Sequence, residues 1–325
     1  MLLAGLSITI SSCKKERNNP LSEEPDAIPA AFNTNNVNAL INNLTTPLQT
    51  YTINAAGYNT HLCVNGTTIF IYPNAFLTQS GQPVTGVVTI EAKDVLSKKD
   101  MIMNNAMPVS NGRLLVSGGE VYFNATQGGQ KLKMNPASAV YFQVPTGNTP
   151  SYQMKEFYAN ASVNISETGL NWVTDTTSIN TNTIAVVQDT SGVNGQAYHY
   201  TFQCDSVTWT NCDYFYNTPG ARTTCTINLT GAFNNSNTAV FISMNGVNAL
   251  ARLNASYYAL SQAFISYTNS LPETIGYTVV AISFDGTNYF YGSKTISMTT
   301  DMVVGMPALT QTTKSQIEFN LTTLP

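Results

Sequence analysis

From Gln49 onward the chain never runs far before a turn signal stops it, and this punctuation limits it to short strands. Asn65-Gly66 separates His61-Leu62-Cys63-Val64 from Thr67-Thr68-Ile69-Phe70-Ile71. Asn-Gly suits the positive φ angles of a two-residue hairpin turn, so a hairpin is expected there. Gln127-Gly128-Gly129 divides Glu120–Asn124 from Lys131–Met134, and Asp285-Gly286 links Val279–Ile282 to Tyr289–Tyr291. Many short β-rich runs between turns point to sandwiches. The expected fold is all-β, two or three Ig-like β-sandwiches after a flexible tether. Two helices are expected, a short one over Val37–Leu44 and a single turn over Ser97–Met103. Leu253, Tyr257, Leu260 and Phe264 have helical spacing, but their Tyr, Phe and Ile neighbours favour strand.

Composition fits this. Only 10% of residues are charged, against a usual share of about 25%, and Thr, Asn and Ser stand in their place. That suits solvated strands and turns better than long amphipathic helices. A net charge of −4 and a pI near 5.1 argue against nucleic acid, whose binding needs Lys and Arg to neutralise phosphates. A chain of 325 residues has room for two or three domains. Turn signals around Pro145 and Pro150, and at Pro219-Gly220, place divisions near 146 and 225. The expected units are a first sandwich over 48–146, a middle β region over 147–225 and a C-terminal Ig-like sandwich over 226–325.

At the other end, Leu2–Ile10 is an apolar run too short to span a membrane, which takes about 20 residues. It precedes Ile10-Ser11-Ser12-Cys13, which resembles a lipobox. There the cysteine thiol is acylated and the chain is cut just before it, so 1–12 reads as a signal peptide and 13–47 as lipidated Cys13 plus linker. No Lys or Arg precedes Cys13, which points to a true start upstream of Met1. Lys14-Lys15-Glu16 resembles the sorting signal of surface-exposed lipoproteins in Bacteroidetes. The implied address is the outer membrane, held by lipid, with the side it faces left open.

Two further likenesses concern the body of the chain. Gly66–Phe76 followed by Gly86–Ile90 resembles the sandwich domain shared by zonula occludens proteins, netrin receptors and ankyrins, although Tyr72-Pro73-Asn74-Ala75 replaces its proline-rich turn. Val95–Ile102, Ser110–Leu115, Ser117-Gly118-Gly119-Glu120 and Trp209-Thr210-Asn211-Cys212-Asp213 are similar to uncharacterised Bacteroidetes lipoproteins. The latter likeness implies an address and a fold, and no activity.

Catalytic signals are thin. Beyond Cys13 there are Cys63, Cys204, Cys212 and Cys225. In an oxidising compartment an even number points to disulfides, with Cys204–Cys225 the first choice and four buried thiols the alternative. Their spacing lacks the close pairs of a structural zinc site, and no cofactor is implied. His61 and Cys63 share a strand face but should not converge as a nucleophile and base must. Glu91, Asp94, Asp205 and Asp213 are the acids that could form a glycosidase pair. The expected role is therefore non-enzymatic, structural or interactive, with the membrane as one partner and a glycan or envelope protein as another. Within a binding reading, Trp209 and Tyr214 are the candidate contact aromatics. Asp205-Ser206-Val207 and Asp175-Thr176-Thr177 fit an O-glycan acceptor pattern at Ser206 and Thr176.

Overall fold

The computed structural model describes residues 35–159, 169–174, 184–189, 197–255 and 263–325. Cys13, Lys14–Lys15–Glu16 and Thr176 lie outside them, as do Tyr257 and Leu260. The described chain is an all-β, sandwich-type structure with three short helices: α1 (Asn35–Leu44), α2 (Lys98–Asn104) and α3 (Lys314–Thr322).

A first group of strands begins with β1 (Gln49–Asn54), β2 (Asn59–Leu62), β3 (Thr68–Ile71), β4 (Phe76–Leu77) and β5 (Val87–Val95). It continues through β6 (Val109–Ser110), β7 (Arg113–Gln127), β8 (Gln130–Lys131), β9 (Lys133–Met134) and β10 (Val140–Thr146). It ends with β11 (Lys155–Ala159), β12 (Trp172–Thr174), β13 (Ala185–Asp189), β14 (Ala197–Gln203) and β15 (Trp209–Phe215). One sheet runs β1-β5-β7-β15-β11-β12 and the facing sheet runs β13-β14-β10-β3-β2. Alternate side chains of each point into a common core, where Phe123 meets Phe142 edge-on at 5.8 Å between centroids.

The division expected near 146 does not follow the strand pairing. β10 pairs with β14, and β15 lies between β7 and β11, so residues on both sides of 146 share both sheets. Pro145 itself sits inside β10 opposite His199. Local turn residues were a poor guide because pairing partners here are distant in sequence.

The second group comprises β16 (Arg222–Thr223), β17 (Thr226–Asn228), β18 (Thr238–Met244), β19 (Leu250–Arg252), β20 (Asn254–Ala255) and β21 (Ala263–Ile265). β22 (Leu271–Pro272), β23 (Gly276–Phe284), β24 (Tyr289–Ser297), β25 (Val303–Gly305) and β26 (Thr310–Thr312) complete it. Its larger sheet runs β19-β18-β23-β24-β26 and its smaller one β20-β21-β17-β25. β20 and β21 pair antiparallel, as the strand reading of that stretch expected. β18 is buried at every position, and its run of Ala, Val, Phe, Ile and Met therefore shows no polar alternation.

The turns form by the chemistry their residues offer. Asn111-Gly112 joins β6 to β7 as a two-residue loop with φ of 48° and 77°, the type I′ arrangement. Gly128-Gly129 does the same between β7 and β8. Asn65-Gly66 differs from expectation: the Cys63 N–H bonds to Thr67 and the Gly66 N–H to Cys63, so the turn spans Val64–Gly66. Between β23 and β24 the Asp285 carboxylate accepts from the Thr287 and Asn288 N–H groups and holds a longer loop. Ser97 caps α2 in a capping box with Asp100.

One large core joins the two groups. Val95, Phe157 and Trp172 from the back of the first sheet pack with β18 and β23. Asn248 donates to Leu96 and Ser117 carbonyls at 3.1 and 2.9 Å, and its own carbonyl accepts the Ser117 N–H. The buried Lys98 amine donates to the Met244 and Pro325 carbonyls. Of the linker expected over 13–47, the described part from Asn35 is not free, because α1 is docked. Val37, Leu40 and Leu44 are buried in this core, and Lys314 of α3 donates to the Asn43 carbonyl.

Leu40→Ala therefore removes a core side chain and should lower the unfolding free energy by about 2–5 kcal/mol in urea titration. An unchanged midpoint would mean that α1 does not dock.

Candidate functional site

The expected chemical groups are placed where chemistry is difficult. His61 stacks flat on Tyr51 with centroids 3.7 Å apart, and its Nε2 is buried without a hydrogen-bond partner. Burial pushes the Cys63 thiol up to about 12, helped by the nearby Asp94 charge, so no thiolate forms there near neutrality. Asp94 accepts the Asn65 and Thr67 N–H groups at 3.2 and 3.1 Å and thereby fixes the β2–β3 turn. Glu91 accepts from the Asn124 side chain across the β5–β7 pair at 2.9 Å. Asp205 is exposed, and Ser206 beside it is half-buried in the turn before β15.

The expected Cys204–Cys225 bridge is not formed. All four thiols of the body are free and buried, with Cys204 and Cys212 in the core between the first two sheets and Cys225 in the other core. Alkylation should reach Cys63, Cys204, Cys212 and Cys225 only after denaturation; a peptide joining Cys204 to Cys225 would contradict this placement.

Two of the stretches singled out by resemblance lie side by side. Ser117–Glu120 of β7 pairs with Asn211–Asp213 of β15 across a bulge, with Asn211 opposite Glu120 and Asp213 opposite Ser117. Gly118 and Gly119 permit this crowding: a Cβ on Gly118 would lie 2.7 Å from the Tyr200 ring, and one on Gly119 2.6 Å from Val144. The result is a pair of acids, Glu120 and Asp213, each 0% exposed. Asp213 accepts from Asn211, whereas both Glu120 oxygens and Asp213 Oδ1 have no hydrogen-bond partner. Burial first, and the Asp213 charge second, hold the Glu120 carboxyl well above its usual range; burial does the same to Asp213. Glu120 was missed among the candidate acids because nothing in its own sequence neighbourhood brings Asp213 beside it.

A carboxyl that holds its proton more tightly in the fold than in the unfolded chain stabilises the fold below its unfolded value, about pH 4. That stabilisation is lost as pH rises through the folded value. Stability should thus decline from about pH 4 toward neutrality, by up to about 1.4 kcal/mol per pH unit for each group. Glu120→Gln should flatten the decline in denaturation measured across that range, and an unchanged slope would contradict the burial.

The expected contact aromatics are absorbed into packing. Trp209 is half-buried and tilted against Tyr122 at 5.4 Å, and Tyr214 packs against both cores. Both are half-buried, so packing takes up part of each ring. The open aromatic surface is elsewhere, on the outer face of β10-β3-β2. Inward Ile69, Ile71, Val140 and Phe142 fill the core, so Phe70, Tyr72 and Tyr141 point away from it. Tyr58, just before β2, joins them: its ring lies 6.5 Å from Phe70 and 5.2 Å edge-on from Tyr72. Tyr72 in turn meets Tyr141 edge-on at 5.9 Å. Tyr58 is 55% and Tyr72 43% exposed.

By strand register, Thr60, Leu62, Thr68, Gln143 and Gln203 share this outer face, with Gln203 opposite Tyr141 and Thr60 opposite Phe70. None of these positions carries a charge. Ring faces beside uncharged amides and hydroxyls can stack on an apolar surface and satisfy hydroxyls at its rim. This row was hidden in sequence because Thr68–Ile71 has large apolar residues on both faces, and alternation gives no sign of which face is solvated.

Comparison with protein-family models, curated proteins and solved structures finds no match to this chain. Function must therefore be argued from the chain's own surfaces. Among the described residues no group of three or more His, Cys, Asp or Glu side chains could hold a metal ion. No described helix is long and apolar enough to cross a membrane.

Proposed function

We propose that this chain is a lipid-anchored envelope protein that binds an uncharged glycan through the aromatic face of Tyr58, Phe70, Tyr72 and Tyr141. The row of mutually packed rings on one sheet face, with Tyr58 and Tyr72 exposed and Phe70 and Tyr141 half-buried, carries this reading. Pyranose rings present apolar C–H faces that stack on aromatics, while their hydroxyls need hydrogen-bond partners such as Gln143 and Gln203. Rings that brace one another lose little rotamer freedom on binding, which keeps the entropic cost small. An open sheet face fits an extended polymer better than a small molecule, which needs a cleft.

The address rests on sequence: the lipobox-like Ile10–Cys13, and the Lys14–Glu16 stretch that resembles a surface-sorting signal. In this reading the lipid holds the protein at the outer membrane and the strands present the binding face. A hydrolytic role for Glu120 and Asp213 is disfavoured, because a glycosidic bond and a water molecule must reach both acids and each acid is 0% exposed.

Calorimetric titration with neutral polysaccharides should show saturable binding. Tyr72→Ala and Tyr141→Ala together should weaken it by about tenfold or more without changing the melting temperature. Absence of binding to every neutral polysaccharide tested, or full affinity in the double variant, would overturn the proposal.

A further inference from the structure

A second surface differs from the aromatic face in carrying charge. At the seam between the two strand groups, the Asn111-Gly112 turn, the segment after β15 and the Tyr267–Ser270 loop enclose a pocket of about 450 Å³. Its cations are Arg113 and Arg222, and no Asp or Glu lines it. Among the described residues neither guanidinium has a carboxylate within ion-pair distance. An acidic chain with few cations places two in a single concavity, neither paired with a described carboxylate.

Both guanidiniums are held rather than loose. Arg113 lies over the Phe215 ring, 4.0 Å from its centroid, and donates to Asn217 Oδ1 at 3.1 Å. Arg222 donates to the Ser270 and Tyr216 carbonyls at 3.0 and 2.7 Å. Each guanidinium carries five N–H groups, so these bonds occupy one on Arg113 and two on Arg222. The remainder offers the planar donor fork that matches a carboxylate. Tyr216 and Tyr267 supply aromatic walls, and Asn217 and Asn269 supply amides. Gly112 lets the Tyr267 ring close against the turn, since a Cβ there would lie 3.1 Å from Tyr267 Cδ1.

From this combination we infer that the pocket binds a uronic acid unit: the carboxylate to Arg113 and Arg222, the sugar face to tyrosine, the hydroxyls to the asparagines. The site shares no residue with the aromatic face, which lies on the facing sheet of the first group and carries no charge.

The test is calorimetric titration of the full chain with trigalacturonate and with the matching neutral trigalactoside. In the Tyr72→Ala, Tyr141→Ala background, which removes the proposed neutral-glycan face, saturable binding of the acidic trimer alone, weakened by added salt, is expected. Arg113→Gln should reduce affinity about tenfold or more, the loss of a charge-assisted bidentate contact. Because Arg222 also ties two backbone segments together, Arg113 is the variant of choice, and its melting temperature should match the parent. Measuring in that background separates the result from that of the aromatic face. No binding, equal binding of the neutral trimer, full affinity in Arg113→Gln, or displacement by equimolar inorganic phosphate (a general anion pocket) would each overturn the assignment.

Discussion

Strand β7 is the member on which the rest of the structure depends. It pairs with β5 on one edge and β15 on the other, and most of its residues are buried on both sides. Leu114, Leu115 and Val116 at one end belong to the large core shared with β18, β23 and the helices, and Val121, Phe123 and Ala125 at the other complete the core with the facing sheet. Where both faces of the strand are covered, its backbone must be satisfied by pairing alone and its polar side chains lose water. Glu120 shows the consequence most plainly, with two carboxyl oxygens that have no hydrogen-bond partner and a proton held well above the usual range by burial. Gly118 and Gly119 show it too, because no side chain would fit where Tyr200 and Val144 close in.

This arrangement also decides where recognition can occur. Sheet faces within the two cores are closed to a ligand. The outer face of β10-β3-β2 remains open, and so does the seam where the β6–β7 turn meets the second strand group. The first surface presents rings and neutral amides, the second presents guanidiniums and no acids. The two proposed sites, one neutral and one cationic, suit a polymer with both neutral and acidic sugars.

Much of the local structure was legible in the residues. Gly128-Gly129 and Asp285-Gly286 mark hairpins, Ser97 with Asp100 announces a capped helix, and Val37–Leu44 has enough apolar spacing to be read as α1. Each of these depends on groups a few residues apart. What escaped depends on partners far away in the chain. The pairing of β10 with β14 dissolves the division read from Pro145, and the docking of α1 turns part of an apparent linker into core. Asn65-Gly66 was read as a two-residue turn, but Asp94, 29 residues on, holds a longer one. The binding faces escaped for the same reason: Phe70 and Ile71 look alike as apolar residues until the facing sheet shows which of them is outside. Trp209 and Tyr214 were attractive as an aromatic cluster, yet both are half-buried and packing takes up part of each ring.

The central claim is that the exposed rings beside β2, β3 and β10 are a glycan-binding face. Tyrosine-ring NMR signals recorded during titration with a neutral oligosaccharide test it most directly. The account predicts that the signals of Tyr58, Tyr72 and Tyr141 move together and saturate, while that of Tyr277, buried in the second core, stays fixed. Saturable shifts confined to other tyrosines, with those three unmoved, would contradict it.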